Sequence, residues 1–192
     1  MKKLLSLMQR IHLAVVNHKV IASIVFVLLL VLIIFYVRQI VSIISLILLL
    51  LLASFSTIYK RKLGMPLGGF ELVTFGTVLT AVAFNPFVGL LFGIVSSLAS
   101  EIISQNIGPL TWIYVLITGF LGLLAGHFSH LNLVFLGVAF TVASLLLNQV
   151  IYLFIGDADI KTMTVFYIAT NLTSNIILFA TVGGRVLALL AH

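Results

Sequence analysis

Residues 102–156 contain no lysine, arginine, aspartate or glutamate, and four more uncharged stretches cover 20–37, 40–59, 72–100 and 162–184. A helix needs about 20 apolar residues to cross the roughly 30 Å hydrocarbon core of a bilayer, so runs of this length dictate helices surrounded by lipid. Composition agrees, with 62% of residues hydrophobic and 7% charged, against about 25% charged in a soluble domain. Four acidic and ten basic side chains cannot cover a water-facing surface, which excludes a soluble enzyme and a disordered chain. The net charge of +6 is scattered among apolar runs and makes no basic groove, so nucleic acid is not the expected partner; the lipid bilayer is. Cysteine is absent, and with it any disulfide framework or thiolate metal site.

Two of the runs are too long for one crossing and are cut at breakers. Proline lacks an N–H and disfavours helix in the residue before it, so Asn85-Pro86 divides one run. Gly108-Pro109 and the polar stretch 127–132 divide the other. The expected fold is an all-α, polytopic transmembrane bundle of about seven crossings: 20–37, 40–58, 66–84, 87–104, 109–126, 131–155 and 162–184. The first is an accessory helix, and residues 40–190 form a six-helix core. The split between the first two rests on Arg38-Gln39, the alternative being one long or kinked helix. Residues 1–19 place Lys2, Lys3, Ser6, Gln9, Arg10 and Asn17 largely on one helical face and Leu4, Leu7, Met8, Ile11 and Val15 on the other. That pattern suits an amphipathic helix lying at the headgroup level; a frayed, solvated terminus is the plainer alternative.

With seven crossings, alternation puts Lys2, Lys3, Arg10, Lys19, Lys60, Arg61, Lys62 and Lys161 on one side and Arg38 and Arg185 on the other. Short loops rich in lysine and arginine stay in the cytoplasm, so charge makes the first side cytoplasmic in a multi-pass cell-membrane protein.

A charge at the bilayer centre costs about 2.5–3.5 kcal/mol on insertion scales, so each one needs a reason. Glu71 and Glu101 flank the hairpin at Asn85-Pro86 and fall toward one membrane face, beside Gln105 and Asn106. Asn148 and Tyr152 share a helix side at spacing i, i+4, as do Asn171 and Asn175. These six residues (Glu71, Glu101, Asn148, Tyr152, Asn171, Asn175) are the candidate lining of a small-solute site. They would act through hydrogen bonds and, for the glutamates, charge. Helix-to-helix hydrogen bonding is the competing use of the same groups. Gly89 and Gly93, and Gly122 and Gly126, lie four apart, as close helix packing requires; internal packing is the expected role and a partner interface the alternative. His127 and His130 are three apart but lack further metal ligands. Asp157 and Asp159 read as a turn and a helix cap. With no catalytic, metal or cofactor motif, the chain is not expected to be an enzyme.

The run Gly68-Gly69-Phe70-Glu71-Leu72-Val73-Thr74-Phe75, continuing through Asn85-Pro86-Phe87-Val88-Gly89 to Gly93, resembles the second and third helices of the substrate-binding S components of energy-coupling-factor transporters. Pro86, Gly89 and Gly93 match the family pattern, and Asn85 stands where the family has glycine. The six helices from residue 40 onward equal the number in such subunits. The resemblance implies capture of a vitamin-like solute at the extracytoplasmic end, in company with a transmembrane coupling protein and two ATPases. It also implies that Lys60, Arg61 and Lys62 lie outside, opposite to the placement by charge. The alanine-rich face of the family's first helix has no counterpart in 40–58, where Ser42, Ser45, Ala53 and Ser54 are the small residues. A rival class is a non-catalytic scaffold, similar in size and hydrophobicity to the rod-shape-determining protein MreD, which would hold partner membrane proteins through its small-residue faces.

Overall fold

The computed structural model describes the backbone of residues 2–59, 70–155 and 158–191. It describes side chains at 23, 25–34, 36–59, 70–108, 110–151, 154 and 166–191. Among the described residues the chain is helical throughout, without strands: α1 (Lys2–Phe55), α2 (Val73–Ala83), α3 (Pro86–Ser104), α4 (Pro109–His127), α5 (Leu133–Ile155), α6 (Ala158–Leu178), a π-helical turn (Phe179–Gly183) and α7 (Gly184–Leu190). Five helical spans are long and apolar enough to cross a membrane: Val25–Phe55, Pro86–Ser104, Leu110–His127, Leu133–Ile151 and Phe166–Leu190. The protein is therefore a multi-pass helical membrane protein. The finer expectation of seven crossings differs from this architecture at two places.

The first is Arg38-Gln39, where no break occurs: α1 continues through it to Phe55. Arginine and glutamine are both good helix formers, and neither glycine nor proline stands nearby to stop the helix. The expected division into 20–37 and 40–58 is therefore not marked by a helix end, and the alternative of one long helix describes this stretch. Its apolar part, 31 residues from Val25 to Phe55, is about 46 Å long at 1.5 Å per residue, more than one hydrocarbon core needs. The amphipathic face expected over 1–19, and Lys60, Arg61 and Lys62 themselves, lie outside the described side chains.

The second is α2, which has 11 residues where the crossing 66–84 was expected. At about 16 Å it is too short to span. Residues 66–69 lie outside the described residues, and 70–72 are not helical. Their backbone groups bond instead to Ser56 and Tyr59, which follow α1. Leu72 N–H donates to Ser56 Oγ (3.0 Å), Phe70 N–H donates to Tyr59 Oη (2.9 Å), and the Tyr59 hydroxyl donates to Phe70 O (3.0 Å). Non-helical backbone survives at membrane depth only with such partners.

The remaining ends follow the expected breakers. Asn85 Oδ1 accepts from Val88 N–H (3.0 Å) and Pro86 opens α3. Thr111 Oγ1 accepts from Gly108 N–H (2.9 Å), and Pro109 opens α4. Asn132 Oδ1 accepts from Val134 and Phe135 at 3.0 and 3.2 Å. Each uses a side chain to satisfy N–H groups that a helix start leaves open. At the other end of α3, Gln105 adopts a left-handed conformation with φ 55°, the usual form of a helix stop.

The chain divides into two compact units, Met1–Val41 and Ser42–His192. In the first, every described side chain from Val25 to Val41 is exposed, which suits a helix whose solvent is hydrocarbon. The second holds the core: residues 73–81 of α2 are all buried, and Leu136, Phe179 and Leu190, each 1% exposed, belong to the same core cluster. A short helix that is buried on every side needs no polar face.

Glycines set how closely α2, α3 and α4 approach. A methyl on Gly93 would lie 2.8 Å from Thr118 O, and one on Gly126 would lie 2.5 Å from Pro86 Cα. A methyl on Gly89 would lie 2.8 Å from Gly122 O, and one on Gly122 would lie 2.6 Å from the Gly89 carbonyl carbon. All four small residues singled out from spacing thus lie where α3 packs against α2 and α4.

Candidate functional site

The segment that replaces the first turn of α2 delivers Glu71 into the bundle, where it is 1% exposed. Its Oε1 accepts hydrogen bonds from the hydroxyls of Tyr114 on α4 (3.3 Å) and Tyr167 on α6 (3.2 Å). Tyr167 Oη also accepts from Asn171 Nδ2 (3.4 Å), and Asn171 Oδ1 accepts from Asn175 Nδ2 (2.9 Å). The same Asn175 nitrogen donates to the backbone carbonyl of Asn171 at 3.1 Å. Tyr167, Asn171 and Asn175 are all buried, Asn175 completely. Groups from three elements thus form one connected network around a carboxylate inside a lipid-facing bundle, where every intramembrane carboxylate calls for partners.

Why these residues share one face follows from spacing. Tyr167, Asn171, Asn175, Phe179 and Gly183 recur every fourth residue, and all are buried. A step of four in a helix of 3.6 residues per turn drifts by about 40°, so a long stripe would wind away from the core. The π-helical turn Phe179–Gly183 widens the helix after three steps and returns Gly183, and later Leu190, to the inside. The Phe179 ring lies over Gly137, where any Cβ would overlap it, and 4.9 Å from the Phe75 ring. These aromatics form an apolar floor one turn beyond Asn175.

The candidates divide into two groups. Glu71, Asn171 and Asn175 come together. Glu101, 6% exposed, accepts from Asn106 Nδ2 at 3.0 Å beside its own helix end. Asn148 turns back on its own helix and donates to Ser144 O at 2.8 Å. The side chain of Tyr152 lies outside the described residues. Both glutamates do lie at one end of the bundle. Thr57 and Ser100 share a hydroxyl hydrogen bond of 2.7 Å beside Glu101, and Ser56 holds Leu72 beside Glu71.

Tyr167 is the member that the sequence reading missed. It lies four residues before Asn171, so the spacing that paired the two asparagines also reaches it. Tyr114 sits one helical side away from Trp112, which is exposed. Among the described residues, four buried atoms, Ser42 Oγ, Ser96 Oγ, Gln149 Oε1 and Asn175 Oδ1, have no hydrogen-bond partner. Outside the network, His127 Nδ1 lies 2.9 Å from Leu123 O and the His130 ring packs near Phe128. Among the described residues no group of three or more His, Cys, Asp or Glu could hold a metal ion. Asp157 and the Asp159 side chain lie outside the described residues.

Compared with known proteins, the chain matches no protein-family model, no curated protein and no solved structure.

Proposed function

We propose that this chain is a solute-capturing membrane subunit, binding a small polar molecule at the end of the bundle where Glu71, Tyr114, Tyr167, Asn171 and Asn175 meet. The observation that carries the reading is the burial of Glu71: a non-helical segment held by Ser56 and Tyr59 brings a carboxylate inside the bundle among donors from two other helices. Burying a charge and three amide or hydroxyl groups is costly when packing alone is needed, and convergent polar groups in an apolar surround are what small-molecule sites use. The arrangement fits an S-component-like role in the cell membrane, with capture on one side and delivery through a transmembrane coupling protein and its ATPases.

The test is thermal stabilisation of the purified full chain in detergent by a library of vitamin-sized polar solutes. A stabilising solute whose effect is lost in Glu71→Gln and reduced in Asn171→Ala supports capture. A library with no effect, together with a stoichiometric membrane partner that co-purifies, supports the scaffold role instead. The glycine packing weighs against that alternative, since Gly89, Gly93, Gly122 and Gly126 are covered inside the chain.

A further inference from the structure

The direction of every hydrogen bond in the ladder on α6 is fixed by one carbonyl. The Asn171 main-chain oxygen can only accept, so the Asn175 atom 3.1 Å from it is the amide nitrogen. That nitrogen also donates to Asn171 Oδ1, which turns Asn171 Nδ2 toward Tyr167 Oη. The tyrosine oxygen, accepting there, spends its own proton on Glu71 Oε1. All donors thus point toward Glu71, and the acceptor at the far end, Asn175 Oδ1, is left buried and without a partner among the described residues. An unmet buried acceptor is costly, and a chain of aligned hydrogen bonds polarises its members in one direction. The negative end of the ladder therefore lies at Asn175 Oδ1, above the Phe75–Phe179 floor.

We propose that Asn175 Oδ1 is the deep anchor of the site and takes a protonated primary amine. This deepens the capture reading and rests on it. An ammonium group brings donors and no acceptor, and its positive charge meets the end of the ladder where negative polarisation accumulates. Its hydrogen bond to a polarised amide oxygen is of the charge-assisted kind. A quaternary ammonium, which has no N–H, cannot make it. Neither can a carboxylate, which would face the oxygen with like polarity.

The experiment measures the unfolding temperature of the purified full chain in detergent during titration with methylammonium chloride. Sodium chloride and tetramethylammonium chloride at equal ionic strength serve as controls. The proposal expects saturable stabilisation by methylammonium alone, weakened by about tenfold or more in Asn175→Ala. If Asn175→Ala does not fold, Tyr167→Phe leaves the anchor oxygen in place and cuts the polarising chain, and it should weaken methylammonium severalfold. No response to methylammonium, or an equal response to tetramethylammonium, overturns the proposal. A library solute that stabilises the wild type and Asn175→Ala alike also overturns it while leaving capture standing; a wild type that no solute stabilises removes capture itself.

Discussion

Replacing Gly122 by alanine probes how tightly the central helices are locked. The added methyl would stand 2.6 Å from the Gly89 carbonyl carbon and 2.7 Å from Thr77 Cγ2, with Gly89 O nearer still. Carbon atoms in contact rest about 3.5–4.0 Å apart, so α3 and α2 would each have to retreat by about 1 Å. Retreat is blocked on the α3 side, because Gly89 itself has Ala81 Cα within 2.8 Å of where its own Cβ would be. Overpacking costs about 1–3 kcal/mol, and a methyl pressed against the Gly89 backbone and a threonine side chain belongs at the top of that range. Gly184→Ala is the matched control. A Cβ there meets nothing within 4 Å, and alanine in a helix gains up to about 1 kcal/mol over glycine. Unfolding of both variants in mixed micelles should separate them by about 3–4 kcal/mol, Gly122→Ala below the wild type and Gly184→Ala at or above it. Wild-type stability in Gly122→Ala would refute the packing argument.

Other outcomes follow from the same contacts. Asn85→Ala removes the cap on Val88 N–H and should cost about 1 kcal/mol in the same unfolding assay. Phe179→Ala empties a site that is 1% exposed between Phe75 and Gly137, for a loss of about 3–5 kcal/mol. The Tyr59 hydroxyl has its pKa raised from 10.0, first by burial and also by the nearby Glu71 carboxylate, although its hydrogen bond to Phe70 O works the other way. A raised folded-state pKa gives stability that is complete below pH 10 and lost as pH climbs beyond it, so stability should fall above about pH 10. Tyr59→Phe should flatten that fall. An accessible cysteine placed at residue 61 reports the side occupied by the end of α1: external labelling agrees with the S-component orientation, and cytoplasmic protection agrees with the scaffold role.

The breakers were legible because their chemistry is local: Asn85-Pro86, Gly108-Pro109 and Asn132 cap or stop helices with their own atoms. The face shared by Asn171 and Asn175 was legible for the same reason, since it depends only on helical spacing. Arg38-Gln39 misled because a charge in an apolar run looks like an interface, whereas the helix itself has no cause to end there. The shortness of α2 was hidden in tertiary bonds, those of Ser56 and Tyr59 to Phe70 and Leu72, which no spacing within 66–84 reveals. Asn148 belonged to the polar set by type, but Ser144 four residues earlier supplies its acceptor and keeps the amide on its own helix.

The chain contains two glutamates, Glu71 and Glu101, so carboxyl-13C labelling of glutamate gives two side-chain resonances, and Glu101→Gln leaves that of Glu71 alone. The network at Glu71 predicts that Tyr114→Phe and Tyr167→Phe each move this resonance, while Asn106→Ala moves only that of Glu101. A Glu71 signal indifferent to both tyrosines would mean that the carboxylate does not meet them in the bundle, and the site described above would not exist.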